Sequence, residues 1–114
     1  MNHRALQEPT TLLLTALADA PRHGYALIAE VSEISGGRVR LRAGTLYGAL
    51  DRLLADGLIR IEQEEVVEGR LRRTFALTAD GRELLATEAE RLQSTAREAK
   101  RRLGLQFRPA GGLA

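Results

Sequence analysis

Between Arg42 and Ile59 the chain spells out a helix, a stop and the start of a strand in one uninterrupted run. Leu46, Leu50, Leu53 and Leu54 recur at helical spacing and define one buried face. The opposite face carries Thr45, Tyr47, Gly48, Asp51 and Arg52: two hydroxyls, a small residue, an acid and a cation. A helix that is apolar inside and small and hydroxylated outside can lie close against a groove or a phosphate backbone. Gly57 then supplies the left-handed residue that commonly ends a helix.

The rest of the chain restricts what can surround this helix. At 114 residues it is one domain with a single small core. Aromatics make up only 4%, so Leu, Ile, Val and Ala must build that core. This favours helices over a sandwich or barrel. The absence of cysteine excludes disulfides and thiolate metal sites and fits a reducing compartment. No apolar run approaches the ~18 residues of a membrane span, and Met1-Asn2-His3-Arg4 lacks a signal-peptide pattern. The expected location is the cytoplasm, with no membrane partner.

Residues 1–7 read as a loose arm and 104–114, with Pro109 and Gly111-Gly112, as a flexible tail. A first helix begins at Pro9, which suits a first turn. It runs to about Ala18 with Leu12, Leu13, Ala16 and Leu17 inward. After the break at Pro21-Arg22-His23, a second helix spans 24–35 with Tyr25, Leu27, Ile28 and Val31 inward, and Gly36-Gly37 ends it. Val39-Arg40-Leu41 is an extended connection to a third helix over 43–56. Strands over 59–65 and 70–77 flank a turn at 66–69, with Gly69 the positive-φ residue and Phe75 and Leu77 on one face. Thr78 caps a last helix running to about Leu103, with Asp80 beside its positive dipole end. The fold class is mainly α with a small β-hairpin. Three short helices and a hairpin over 8–77 form a winged helix-turn-helix, and a long C-terminal helix over 78–103 follows it.

Net charge is only +2, so distribution says more than total. Arg38, Arg40 and Arg42 precede the third helix, and Arg70, Arg72 and Arg73 lie on the second strand. Acids gather at Glu62, Glu64, Glu65 and Glu68. Lys100 is the only lysine. Arginine suits bidentate contacts to phosphate or guanine, although genome base composition produces the same bias.

Several short motifs occur in a fixed order: His23-Gly24-Tyr25, Gly44-Thr45-Leu46-Tyr47, Leu50-x-x-Leu53 and Gly57-Leu58-Ile59. Gly69-Arg70-x-Arg72-Arg73 and Leu77-Thr78-Ala79-Asp80-Gly81-Arg82 come after them. Together, over residues 9–92, they resemble the PadR family of bacterial transcriptional regulators. The resemblance implies a homodimeric winged-helix repressor. Its third helix would enter the major groove, its wing would meet the backbone or minor groove, and its last helix would carry the dimer contact. It also implies, for many members, release of DNA on binding a small molecule. Such an effector has no identity here, and its pocket is expected between the last helix and the DNA-binding body. Two departures stand out. Arg42-Ala43 replaces the Ser-Pro pair that caps the third helix in many relatives, leaving first-turn amides that a phosphate can satisfy. The chain has no tryptophan, so ligand stacking on a tryptophan of the last helix does not carry over.

The candidate DNA-binding residues are Arg42, Gly44, Thr45, Tyr47, Gly48, Arg52, Arg70, Arg72 and Arg73. Arg72 and Arg73 are adjacent on a strand and point to opposite faces, so both cannot meet DNA equally. With a turn near 67–69, Glu64 lies opposite Arg72, and an ion pair across the hairpin is as reasonable as a phosphate contact. Asp51 can accept from a cytosine amino group but more often pairs with Arg52 or Arg40. His23 has no second imidazole near it except His3 in the arm, so a catalytic or metal role is not expected. It suits the start of the second helix, which crosses the DNA backbone in helix-turn-helix docking.

Leu85, Ala89, Leu92, Ala96, Ala99 and Leu103 are spaced four, three, four, three, four, the stripe of a coiled-coil seam. A helix of about 26 residues spans roughly 39 Å, more than the small body can cover, so a homodimer through this helix is expected. Arg97, Lys100, Arg101 and Arg102 suit the helix dipole and mark no DNA site. The sequence thus points to double-stranded DNA and a second copy of itself as partners, with no cofactor, metal or catalytic residue. A winged-helix protein-interaction module is the alternative. An enzyme finds no nucleophile–base set or phosphate-cradling loop.

Overall fold

A computed structural model describes residues 5–105; the readings made on residues 1–4 and 106–114 lie outside the described residues. The elements are α1 (Glu8–Ala16), β1 (Arg22–His23), α2 (Gly24–Ile34), α3 (Ala43–Ala55), β2 (Ile59–Val67), β3 (Arg70–Leu77) and α4 (Ala79–Arg102). This is a winged helix-turn-helix followed by one long helix. The sheet holds three strands rather than two, in the order β1-β3-β2 and antiparallel throughout. β1 escapes sequence reading because two residues carry no periodicity.

The core is aliphatic, as the composition requires. Leu12, Leu13, Leu14, Leu17, Leu27, Val31, Leu46, Leu50 and Leu53 pack with Ile59, Phe75 and Leu77. Leu14, on the flank of the expected face, is fully buried too, because α1 packs against both α2 and α4. β3 is the middle strand and packs against both α2 and α4, and Thr74, Phe75, Ala76 and Leu77 are all buried rather than alternating. Tyr25 is a correction: it stands 67% exposed instead of inward. Gly24, Leu27 and Val31 take the inner face of α2, and Tyr25 is a third of a turn away from that face.

The hairpin turn is tighter than expected. Glu68 and Gly69 both have positive φ, 52° and 77°, the signature of a two-residue type I′ turn. The strands therefore run to Val67 and from Arg70, and the register becomes Glu65↔Arg72 and Glu64↔Arg73. The ion pair joins Arg73 to Glu64 at 2.9 Å, not Arg72 to Glu64. A bulge at Glu62 then shifts the alternation by one. It brings Ile59 and Ile61 opposite Leu77 and Phe75 on the core side while the tip keeps its own register.

α4 is anchored at its start. The Thr78 hydroxyl accepts from the Gly81 N–H at 3.0 Å and donates to the Gly57 carbonyl at 2.7 Å. The Thr78 N–H donates to the Leu58 carbonyl at 3.1 Å. Leu84 and Leu85 pack on the core. Glu88 is buried, its carboxylate gripped by both ends of the Arg91 fork at 2.9 and 2.6 Å. From Leu92 onward every described residue of α4 is exposed.

Candidate nucleic-acid interface

α3 forms as the leucine spacing requires. Leu46, Ala49, Leu50 and Leu53 are buried, and Leu54 is half-buried. This orientation leaves Arg42, Gly44, Thr45, Tyr47, Asp51 and Arg52 exposed and Gly48 half-exposed along one strip. The strip is low in relief. A Cβ at Gly44 would meet nothing within 4 Å, and one at Gly48 would meet only the Arg52 guanidinium at 3.9 Å. Arg42 is the N-cap and provides no side-chain cap, as the missing Ser-Pro pair implies. Among the described residues the first amides of α3 therefore have no N-cap side chain as acceptor. Asp51 makes no ion pair among the described residues, against the expected pairing with Arg52 or Arg40.

The arginines divide into occupied and available sets. Arg38 pairs with Glu8 at 2.6 Å, and the Arg40 Nε–H donates to the Gly37 carbonyl at 3.2 Å. Arg73 is held by Glu64 and Arg60 by Glu62. These pairs mask part of the acidity of β2. Arg42, Arg52, Arg70 and Arg72 are exposed. Arg70 and Arg72, two residues apart on β3, share one face of the wing.

A cavity of about 550 Å³ opens between α2, α3 and the wing. Its walls are His23, Gly24, Tyr25 and Ala26 from the start of α2, Tyr47 from α3, and Val67 and Arg70–Arg73 from the wing, with Phe75 among the lining. The Tyr25 and Tyr47 rings meet edge to face, centroids 6.4 Å apart and planes at 81°. His23 Nδ1 lies 3.1 Å from the Thr74 hydroxyl, tying the head of α2 to β3. This is the structural role that its position before Gly24 suggests. Thus Tyr47, Arg70, Arg72 and Arg73 gather around one notch, while Thr45, Gly48 and Arg52 lie along the α3 strip leading from it. Tyr25 and Gly24 join the notch without having been marked as candidates. The order His23-Gly24-Tyr25 was the available signal, but it does not reveal that α3 lies across it. The cavity lies on the wing side, not beside α4 where an effector pocket was expected. Among the described residues no three His, Asp or Glu side chains gather to hold a metal ion. No described helix is long and apolar enough to cross a membrane.

The six residues of the expected dimer seam fall into two groups. Leu85 packs on the chain's own core. Ala89, Leu92, Ala96, Ala99 and Leu103 are exposed, Leu92 at 46% and Leu103 at 72%.

Comparison with known proteins agrees with this architecture. The sequence model of the transcriptional regulator PadR-like family matches residues 13–87. The transcriptional regulator Rv3488 of Mycobacterium tuberculosis is 39% identical over 99 residues, 87% of this chain and 86% of that protein. A 37.1 kDa protein in transposon TN4556 of Streptomyces fradiae is 53% identical over 78 residues, 68% of this chain but only 21% of that protein's length. Among solved structures, a PadR family transcription regulator from Clostridium difficile R20291 superposes with a TM-score of 0.72 at 22% identity. That match covers 85% of this chain and 99% of that one. Bacillus subtilis PadR, solved in complex with operator DNA, gives a TM-score of 0.63 at 18% identity, covering 71% of this chain and 47% of that one. The chain belongs to the PadR-like family of transcriptional regulators.

Proposed function

We propose that this protein is a sequence-specific DNA-binding regulator that acts in the cytoplasm as a homodimeric repressor. The observation that carries this reading is the exposed strip of α3, small and hydroxylated, running into a notch flanked by Arg70 and Arg72. Arginines, helix N-terminal amides and the Tyr47 hydroxyl provide affinity, while Thr45, Arg52 and Asp51 provide sequence choice. Bacillus subtilis PadR, which shares this fold, was solved on operator DNA. The same mode of binding is proposed here.

Dimerisation rests on the free half of α4. Ala89, Leu92, Ala96, Ala99 and Leu103 keep coiled-coil spacing and are exposed among the described residues. Two recognition helices would then read half-sites about one helical turn apart, so the operator is near-palindromic. Response to a small molecule belongs to the same proposal, with the ligand unnamed.

The test is fluorescence anisotropy against the chain's own upstream DNA and a shuffled duplex at two salt concentrations. Tight binding to the native duplex alone, at two chains per site, is the expected result. Equal, weak, salt-sensitive binding to both would place the operator elsewhere and call for selection from a random pool. No binding to any duplex at low salt would refute DNA binding and leave a protein-interaction module.

A further inference from the structure

Gly24 is buried at the head of α2 because the Tyr47 ring occupies the space a side chain would take. A Cβ placed there would lie 2.5 Å from the Tyr47 hydroxyl oxygen, 3.0 Å from Cζ and 3.1 Å from Cε1. The hydroxyl end of the ring therefore rests on the first turn of α2, and Tyr47 lines the notch. Tyr25, edge-on to that ring, stops it from swinging away. Two neighbours in sequence thus fix the pose of one side chain on another helix. Across the notch stands Arg72, with no ion pair among the described residues, whereas Arg73 is spent on Glu64. α2 begins here as well, and its N-cap residue His23 makes no side-chain cap. Its first amides have no partner within the helix.

We propose that this notch seats one phosphate of the DNA backbone, with the Tyr47 hydroxyl and Arg72 guanidinium as donors and Gly24 and Tyr25 as positioning residues. A phosphodiester fits what the walls provide: a cation and a hydroxyl donor around an opening with room for the attached sugar. The apolar lining from Val67, Leu71 and Phe75 can pack against that sugar. The contact would lock the wing and both helices of the helix-turn-helix to a single phosphate. It sets the docking angle of α3 and carries no sequence information itself.

This inference rests on the DNA-binding reading, and one experiment separates the two. Duplexes are prepared in which single phosphates are replaced by neutral methylphosphonates, one position at a time. Affinity is measured for the full chain and for Gly24→Ala, Tyr25→Ala, Tyr47→Phe and Arg72→Gln, with thermal unfolding followed in parallel. For the unmodified duplex, Tyr47→Phe and Arg72→Gln should each lose about tenfold. Arg72→Gln should also lower the salt slope by about one. Gly24→Ala should lose as much while unfolding at the wild-type temperature, because the added methyl displaces only the outer end of a side chain. At one phosphate in each half-site, neutralisation should cost the wild type about tenfold but cost Tyr47→Phe and Arg72→Gln less than twofold. A merely structural role for Gly24 or Tyr47 would not produce that coupling at a single phosphate. Tyr25→Ala should also lose affinity while unfolding near the wild-type temperature, because it removes the exposed ring that holds Tyr47 in place. Wild-type affinity in Tyr47→Phe and Arg72→Gln, or losses with no coupled phosphate, would overturn the proposal. DNA binding would then stay on the α3 strip, and the notch would be open to a small ligand instead. Failure of every duplex to bind would overturn the DNA-binding reading and this inference together.

Discussion

Gly81 sits at a tight junction between α4 and Leu58, the residue before β2, and replacing it with alanine tests why α4 leaves the wing where it does. A Cβ at Gly81 would overlap the carbonyl oxygen of Leu58 and lie 2.9 Å from Leu77 Cδ1 and 3.0 Å from the Leu58 carbonyl carbon. The obstacle is backbone and cannot rotate away. Helix propensity favours alanine by at most about 1 kcal/mol. Overpacking opposes it by about 1–3 kcal/mol. Pushing the first turn of α4 off Leu58 also loosens the Thr78–Leu58 hydrogen bond and the Thr78 cap on Gly81. Each of these is worth about 1 kcal/mol. The sum is a net loss of about 2–4 kcal/mol, a large part of the roughly 5–15 kcal/mol that holds a domain this size. Urea unfolding followed by circular dichroism reads it directly, at one fixed protein concentration because the stability of the proposed dimer would depend on concentration. Gly48→Ala is the control. Its Cβ meets only the Arg52 guanidinium at 3.9 Å, so it should gain about 0.5–1 kcal/mol. Gly81→Ala as stable as the wild type would refute the argument, showing that α4 can shift from the wing without cost.

Gly48→Ala should also weaken DNA binding measurably in the anisotropy assay, because the added methyl raises the strip that is proposed to face the duplex; higher stability with unchanged affinity would remove Gly48 from the proposed interface. Thr78→Ala should lose about 1–2 kcal/mol in the same urea titration, since it removes the cap on Gly81 and the donor to Gly57. Leu92→Glu should convert a dimer to monomer by light scattering with the fold intact; an unchanged mass would remove α4 as the interface. The carboxyl of Glu98 is held below its ordinary value of 4.5 by hydrogen bonds from Arg101 first and Arg102 second. A depressed carboxylate contributes stability that is present above its unfolded value and lost as pH falls through the folded one. Helicity near the end of α4 should therefore decline only below about pH 4.5, and Glu98→Gln should abolish that step in a circular dichroism titration.

Much of the architecture is written locally in the chain. Apolar periodicity places α1 to α4 within a residue or two of their ends, because a helix repeats its buried face every turn. Gly57, Gly69 and Thr78 mark stops and starts through their own backbone or hydroxyl chemistry, which does not depend on distant partners. The α3 strip was legible for the same reason: once the leucines choose the inner face, Thr45, Tyr47, Gly48 and Arg52 have only the outer one. What escaped depends on contacts between segments remote in sequence. β1 exists only because β3 offers it a free edge, and a two-residue strand has no pattern of its own. The partner of Glu64 is Arg73 because Glu68 takes a positive φ and shortens the turn to two residues. Tyr25 faces out because Gly24, beside it, receives the ring of a residue on another helix. The sequence by itself determined the elements and which side of each is apolar, since those follow from neighbours a few residues apart. Only the tertiary structure decided the register of the wing, the seat of Tyr47 on Gly24 and which arginines are left unpaired, because each depends on distances between groups that the chain brings together only on folding.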